Sequence, residues 1–155
     1  MKSLYFQETP LGKIGIAEQQ GNITDVYFAN DTLLEEFDLV ETPLINEAFN
    51  QLDAYFAGEL KTFSLPLKPQ GTDFMRTVWQ ALCAVPYGTT ASYKDIAQAI
   101  GNPKAMRAVG LANNKNPIAI FIPCHRIIGS NGKLIGYSAG LPIKEFLLAL
   151  EQRNA

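Results

Sequence analysis

The chain changes character at Lys68-Pro-Gln-Gly71, and that change limits what it can fold into. Up to Lys68 there are 4 Lys/Arg against 11 Asp/Glu, a net of −7; from Pro69 onward there are 9 against 4, a net of +5. The periodicity switches at the same place, from short alternating apolar runs to helical spacing. A Pro- and Gly-containing stretch at such a switch is a linker signal. We therefore read two units, residues 1–68 and 72–155, in a chain of the α/β (α+β) class. Of the 155 residues, 47% are apolar, enough for a core in each. Charge imbalance also arises from ordinary variation between surfaces, so by itself it names no partner.

In the first unit "SLYFQET", "GKIGIAEQ" and "NITDVYFA" are rich in β-branched and aromatic residues and are separated by "PLG" and "QGN", so three strands are expected. Ile45, Ala48, Phe49, Leu52 and Phe56 fall at helical spacing, with Gly58 as a stop. "KTFSLPL" reads as one more strand. The second unit is helix-rich. Thr72 is placed to cap a helix running to Val85, with Phe74, Val78, Trp79 and Leu82 inward. Cys83, beside Leu82, reads as core. Ser92 and Asp95 form a capping-box pattern for "YKDIAQAI", which Gly101 closes. Asn102 then caps and Pro103 opens "PKAMRAVGLANN". Two short helices joined by Gly-Asn have the pattern of a helix-turn-helix, although any helical hairpin looks similar. "SNGK" carries the Asn-Gly hairpin signal, so two short strands, a wing, are expected after Arg126. Pro142 starts a final amphipathic helix.

Between these helices lies "IAIFIPCHRIIG", which reads as a buried strand ending in Pro123-Cys124-His125-Arg126. His125 is the only histidine and Cys124 one of two cysteines. An imidazole that accepts a thiol proton raises the thiolate fraction, and a carboxylate that holds the imidazole completes a relay. Neighbours on an extended segment point opposite ways, so cooperation requires a sharp turn or a linking water. A bare Cys-His pair is more often a buried cysteine beside a surface histidine. No metal site is expected: residues 1–82 hold neither Cys nor His, and Cys83 and Cys124 do not have zinc-ligand spacing. Two cysteines make no disulfide framework, which suits a reducing cytoplasm. No apolar run is long enough for a membrane span, and the N-terminus does not read as a secretory signal.

The ordered set "VWQALCAVPYGTTASYKDIAQAIGNPKAMRAVGLANNKNP" and "NPIAIFIPCHRIIGSNGKLIGYSAGLPIKEFLLALE" resembles the O6-alkylguanine-DNA alkyltransferase family, densely over about residues 72–151 and in general pattern before that. The resemblance implies a ribonuclease-H-like first domain and a winged helix-turn-helix second domain. It implies irreversible transfer of an alkyl group from O6 of guanine, and from O4 of thymine, in duplex DNA to the protein's own cysteine, with the base flipped out of the stack. No cofactor and no metal are implied, and the protein is expected to act as a monomer.

The resemblance also implies roles for particular residues. Cys124 is the acceptor, His125 its base through a water, Glu151 the group that orients the imidazole, and Asn116 the brace of the turn. Tyr93 lies near guanine N3, Ser138 meets O6 through its N–H, the carbonyls of Cys124 and Ile127 receive the exocyclic amine, and Tyr137 walls the pocket. Arg107 fills the stack left by the base, with Lys94, Asn102, Lys104 and Ser130 on phosphate or sugar. Arg126 is expected to serve local structure. Outside the resemblance Arg107 and the lysines read as solvated helix surface. Two other readings stay open on sequence alone. One is a non-catalytic module that only recognises alkyl lesions. The other is a Cys-His hydrolase unrelated to DNA.

Overall fold

Turn chemistry organises the first unit. β1 (Lys2–Thr9), β2 (Gly12–Gln19) and β3 (Asn22–Phe28) form an antiparallel meander. Gln20 (φ 52°) and Gly21 (φ 78°) both take the left-handed conformation that a two-residue hairpin turn demands. Alternation buries Leu4, Ile14, Ile16, Ile23 and Val26, and a bulge at Ala17/Glu18 shifts the register of β3. Helix α1 (Pro43–Phe56) packs on this sheet, its first turn capped by Thr42, whose hydroxyl accepts from the Ile45 N–H at 3.1 Å. Its buried face is Ile45, Ala48, Phe49, Leu52 and Tyr55; Phe56 is only partly covered.

Two features differ from the sequence expectation. "KTFSLPL" forms no strand. It makes a single bridge, Ile23 to Leu67, held by Ile23 N–H to Pro66 O and Lys68 N–H to Ile23 O, both 2.8 Å. Pro66 has no N–H to extend a ladder. The sheet's fourth strand is instead β4 (Phe37–Leu39), parallel to β1, in the order β3-β2-β1-β4.

The computed structural model describes residues 1–134 and 136–155, and clusters into Met1–Pro69 and Gln70–Ala155. In the second unit α2 (Asp73–Cys83) starts at Thr72, whose side chain accepts from the Met75 N–H. Val78, Trp79 and Leu82 are buried, and the Trp79 indole donates to Ala112 O at 2.9 Å. β5 (Ala91–Ser92) leads into α3 (Tyr93–Ala99), which has the complete Ser92/Asp95 capping box. α4 (Met106–Asn114) packs on both α2 and α3. The chain ends with β6 (Ile127–Ile128) and α5 (Leu141–Asn154).

The second unit departs from its sequence pattern at four places. Asn102 caps nothing: α4 begins at Met106, and residues 102–105 form a turn closed by Ala105 N–H to Asn102 O, which suits Pro103 at its second position. Cys83 is exposed, not core. β6 pairs in parallel with β5 rather than opening a hairpin; the returning strand of the expected wing would pass through residue 135, which lies outside the described residues. "IAIFI" is not a strand. It is a buried irregular turn in which Ile120 has φ 74° and Ile122 N–H bonds Ile118 O. A buried β-branched residue at positive φ is strained and needs its surroundings to hold it.

Candidate active site

Asn116 supplies that hold. Its Oδ1 accepts from the Ile118 N–H at 3.0 Å and its Nδ2 donates to Ile122 O at 2.9 Å, spanning the strained turn. The chain leaves the turn through Pro123 into a single-turn 3-10 helix, Cys124–Arg126. Neighbouring residues there are not opposed as they are in a strand, so the sharp turn that cooperation of thiol and imidazole needs is present. All three residues of the 3-10 turn are buried. Asn113, from α4, donates to Cys124 O at 3.4 Å.

Glu151, on α5, holds the imidazole and the guanidinium together. Its Oε2 lies 2.7 Å from His125 Nε2 and accepts from Arg126 Nη2 at 3.0 Å. Its Oε1 accepts from Arg126 Nε at 2.8 Å and from the Gly88 N–H at 3.2 Å. Arg126 also donates to Val85 O at 2.8 Å. Gly88 (φ 77°) is where the backbone comes close; a Cβ there would lie 2.6 Å from the Ala155 side chain. The fork of Arg126 already neutralises the carboxylate. Desolvation, the largest influence, therefore keeps the fully buried imidazole below its ordinary pKa, against the upward pull of Glu151. A neutral imidazole facing a carboxylate carries its proton on Nε2. That leaves Nδ1 unprotonated, and Nδ1 is buried with no hydrogen-bond partner among the described residues. It is a buried proton acceptor one residue along the chain from the Cys124 thiol.

A depressed imidazole pKa has a consequence for stability. The unfolded chain takes the proton first as pH falls, so the contribution of neutral His125 is complete above about pH 6.5 and is lost as pH drops toward the folded value. The urea midpoint is expected to fall between pH 7.5 and 5.5, and to fall less in His125→Gln. Equal losses in the two proteins would show that His125 is not held neutral.

Burial raises the Cys124 thiol above its ordinary pKa; hydrogen bonding from Asn116 and Tyr137 and the charge of Lys144 act the other way. Tyr93, at the start of α3, is raised by desolvation and by the charge of Cys124. Its ring lies 3.7 Å from where a Gly110 Cβ would sit, and its hydroxyl 3.5 Å from that of Gly136, so both glycines leave it room.

The structure thus brings Cys124, His125, Glu151, Asn116, Tyr93 and Tyr137 together. The Ile127 carbonyl already accepts a bond from Lys144 Nζ, and Ser138 is exposed. Lys94, Asn102, Lys104, Arg107 and Ser130 are all exposed, Arg107 sharing α4 with exposed Met106, Ala108 and Leu111. The sequence reading missed Lys144, which is fully buried, although its spacing of seven from Glu151 on one helix was available as a signal. It also understated Arg126, which holds the relay's carboxylate. Among the described residues there is no group of His, Cys, Asp and Glu able to hold a metal ion, and no helix long and apolar enough to cross a membrane.

A buried thiol next in sequence to an imidazole that is bonded to a carboxylate, in one unit with two packed short helices and an exposed arginine, defines a class: a helical unit equipped for cysteine chemistry. Two family models account for nearly the whole chain. The model described as 6-O-methylguanine DNA methyltransferase, ribonuclease-like domain, matches residues 1–69, and that described as 6-O-methylguanine DNA methyltransferase, DNA binding domain, matches residues 73–153. The chain belongs to the 6-O-methylguanine DNA methyltransferase family. It is 53% identical over 150 residues to the methylated-DNA–protein-cysteine methyltransferase of Methanosarcina barkeri, covering 95% of each chain. It is 50% identical over 152 residues to the constitutive enzyme of that name from Bacillus subtilis, covering 94% of this chain and 92% of that one. The crystal structure of Mycobacterium tuberculosis OGT in complex with DNA superposes with a TM-score of 0.92 at 44% identity, over 99% of this chain and 94% of that one.

Proposed function

We propose that this protein repairs DNA directly, moving an alkyl group from O6 of guanine to Cys124 in one irreversible step. The relatives named for methyl transfer from DNA to a protein cysteine support this, as does the structure of the relative bound to DNA. The observation that carries the mechanism is the relay: His125 Nε2 2.7 Å from a carboxylate that is already neutralised by Arg126.

The Cys124 proton passes, through a water, to His125 Nδ1. The thiolate attacks the saturated alkyl carbon, an S–C bond forms and the C–O6 bond breaks. Charge develops on the departing guanine, where a donor at O6 from the Ser138 N–H and a proton from Tyr93 at N3 stabilise it. The product is a thioether, which does not leave again, so each molecule acts once. The same chemistry applies to O4 of thymine. Arg107 enters the stack as the base turns out, and the carbonyls of Cys124 and Ile127 receive the exocyclic amine. Lys94, Asn102, Lys104 and Ser130 meet the backbone in a salt-dependent way. The two units, residues 1–68 and 72–155, divide the work: the second carries every residue of this mechanism.

The test is an intact mass after mixing the protein with excess duplex containing one O6-methylguanine. A single added methyl on Cys124, stopping at one per molecule, is expected. An unchanged mass despite tight lesion binding would leave a recognition module instead.

A further inference from the structure

Asn113 is 2% exposed near the end of α4, and its carboxamide is only partly used. Nδ2 donates to Cys124 O at 3.4 Å, while Oδ1 is buried with no hydrogen-bond partner among the described residues. Turning the amide over would set Oδ1 against the Cys124 carbonyl, acceptor against acceptor, so the carbonyl fixes which end is left over. A buried amide oxygen without a donor is costly, and such an atom in a native fold calls for a reason. His125 Nδ1, another buried atom without a partner, has its reason in the relay. Oδ1 has no part there. It shares its carbon with Nδ2, and so lies at the Cys124 carbonyl, which meets the exocyclic amine in the reading above. Both carbonyls given that task already have a donor: Asn113 Nδ2 on Cys124 O, and Lys144 Nζ on Ile127 O. The next residue of α4 borders the same site: the point where a Gly136 Cβ would sit is 3.6 Å from Asn114 Oδ1 and 3.5 Å from the Tyr93 hydroxyl.

We propose, resting on the repair reading above, that Asn113 is a specificity-determining residue: its Oδ1 accepts a hydrogen bond from the exocyclic amine of the flipped guanine. Alkylation at O6 leaves N1 without a proton, so this amine is the only N–H donor that the alkylated base carries. Its two hydrogens meet two carbonyls that are already engaged and one acceptor that is not. A site that buries an acceptor for a substrate donor rejects analogues lacking that donor, because the acceptor then stays unpaired. O6-methylhypoxanthine differs from O6-methylguanine only in lacking the amine, and O4-methylthymine has no N–H donor at all. Asn113 therefore favours guanine lesions over both. It forms no bond to the alkyl group and takes no part in the proton transfer from Cys124 to His125.

The experiment compares the full chain with Asn113→Leu, which keeps the side chain's shape and removes its polar atoms. Single-turnover repair is measured on duplexes containing O6-methylguanine or O6-methylhypoxanthine. Each rate comes from the time course of methyl uptake, and the active fraction from its amplitude. The ratio of the two rates cancels any change in folding or in the relay, as in a double-mutant cycle. The substitution is expected to slow repair of O6-methylguanine about tenfold and to change that of O6-methylhypoxanthine less than threefold, so the preference for guanine falls about tenfold. Equal slowing on the two duplexes overturns the proposal and assigns Asn113 to the shape of the Cys124 turn instead. Asn113→Ala, a smaller truncation, is expected to lose the same preference; its retention in either variant also overturns the proposal. If the parent protein takes up no methyl from either duplex, the repair reading fails, and the same ratio taken from binding affinities still decides Asn113.

Discussion

Replacing Glu151 with glutamine is expected to slow alkylation of Cys124 by about 100-fold and to lower the unfolding free energy by about 3 kcal/mol, because it leaves the Arg126 cation buried and unpaired. The carboxylate accepts from His125, from Arg126 at both its oxygens and from Gly88. A carboxamide offers one accepting oxygen, and its NH2 must face either Arg126 or the imidazole, donor against donor. If it faces Arg126, a charge is stranded. If it faces His125, the imidazole is driven to the tautomer with its proton on Nδ1, the atom that has to accept from the thiol. Both arrangements damage the relay, one through stability and one through chemistry. Single-turnover alkylation and urea unfolding of the same preparation separate the two. Alkylation within threefold of the parent protein would remove Glu151 from the mechanism.

Arg107→Ala is expected to slow repair of O6-methylguanine in duplex DNA by about 100-fold while changing reaction with the free modified base less than threefold. Extruding a base costs a few kcal/mol, and each 1.4 kcal/mol is about tenfold. A side chain that occupies the emptied stack recovers part of that cost, whereas the free base never incurs it. Arg107 is exposed on α4 and its α4 neighbour Ala108 is small, so truncation there disturbs no core. A mere phosphate contact would behave differently, weakening binding to damaged and undamaged duplex alike and flattening the salt dependence. Equal slowing on duplex and free base would place Arg107 in the pocket chemistry instead.

Elements whose determinants are local could be read in the sequence. The hairpins of the first unit, the Thr72 cap and the Ser92/Asp95 box each depend on residues within four positions of one another. Cys124 and His125 announced themselves by adjacency, but Glu151 only through the family pattern, since 26 residues separate it from His125. "IAIFI" misled because a short apolar run describes a strand and a buried turn equally well. What decides between them is Asn116, which binds both ends of the turn, and an amide's partners cannot be read from its spacing. Asn102 and Pro103 satisfy helix-start rules as well as they satisfy a turn, and the turn won. Cys83 looked inward because it comes directly after Leu82, yet one step along a helix is a rotation of about 100°, enough to carry it to the surface. β4 is three residues long and parallel, too short to leave a periodicity.

The placement of both Lys144 and Glu151 on α5 also sets an order of events during synthesis. Cys124 emerges from the ribosome before either charge exists. Until α5 has been made and has docked on the Cys124 turn, His125 has no carboxylate to bind and the Ile127 carbonyl no lysine. On the mechanism proposed above, a nucleophile that can be used only once gains its relay only when α5 arrives.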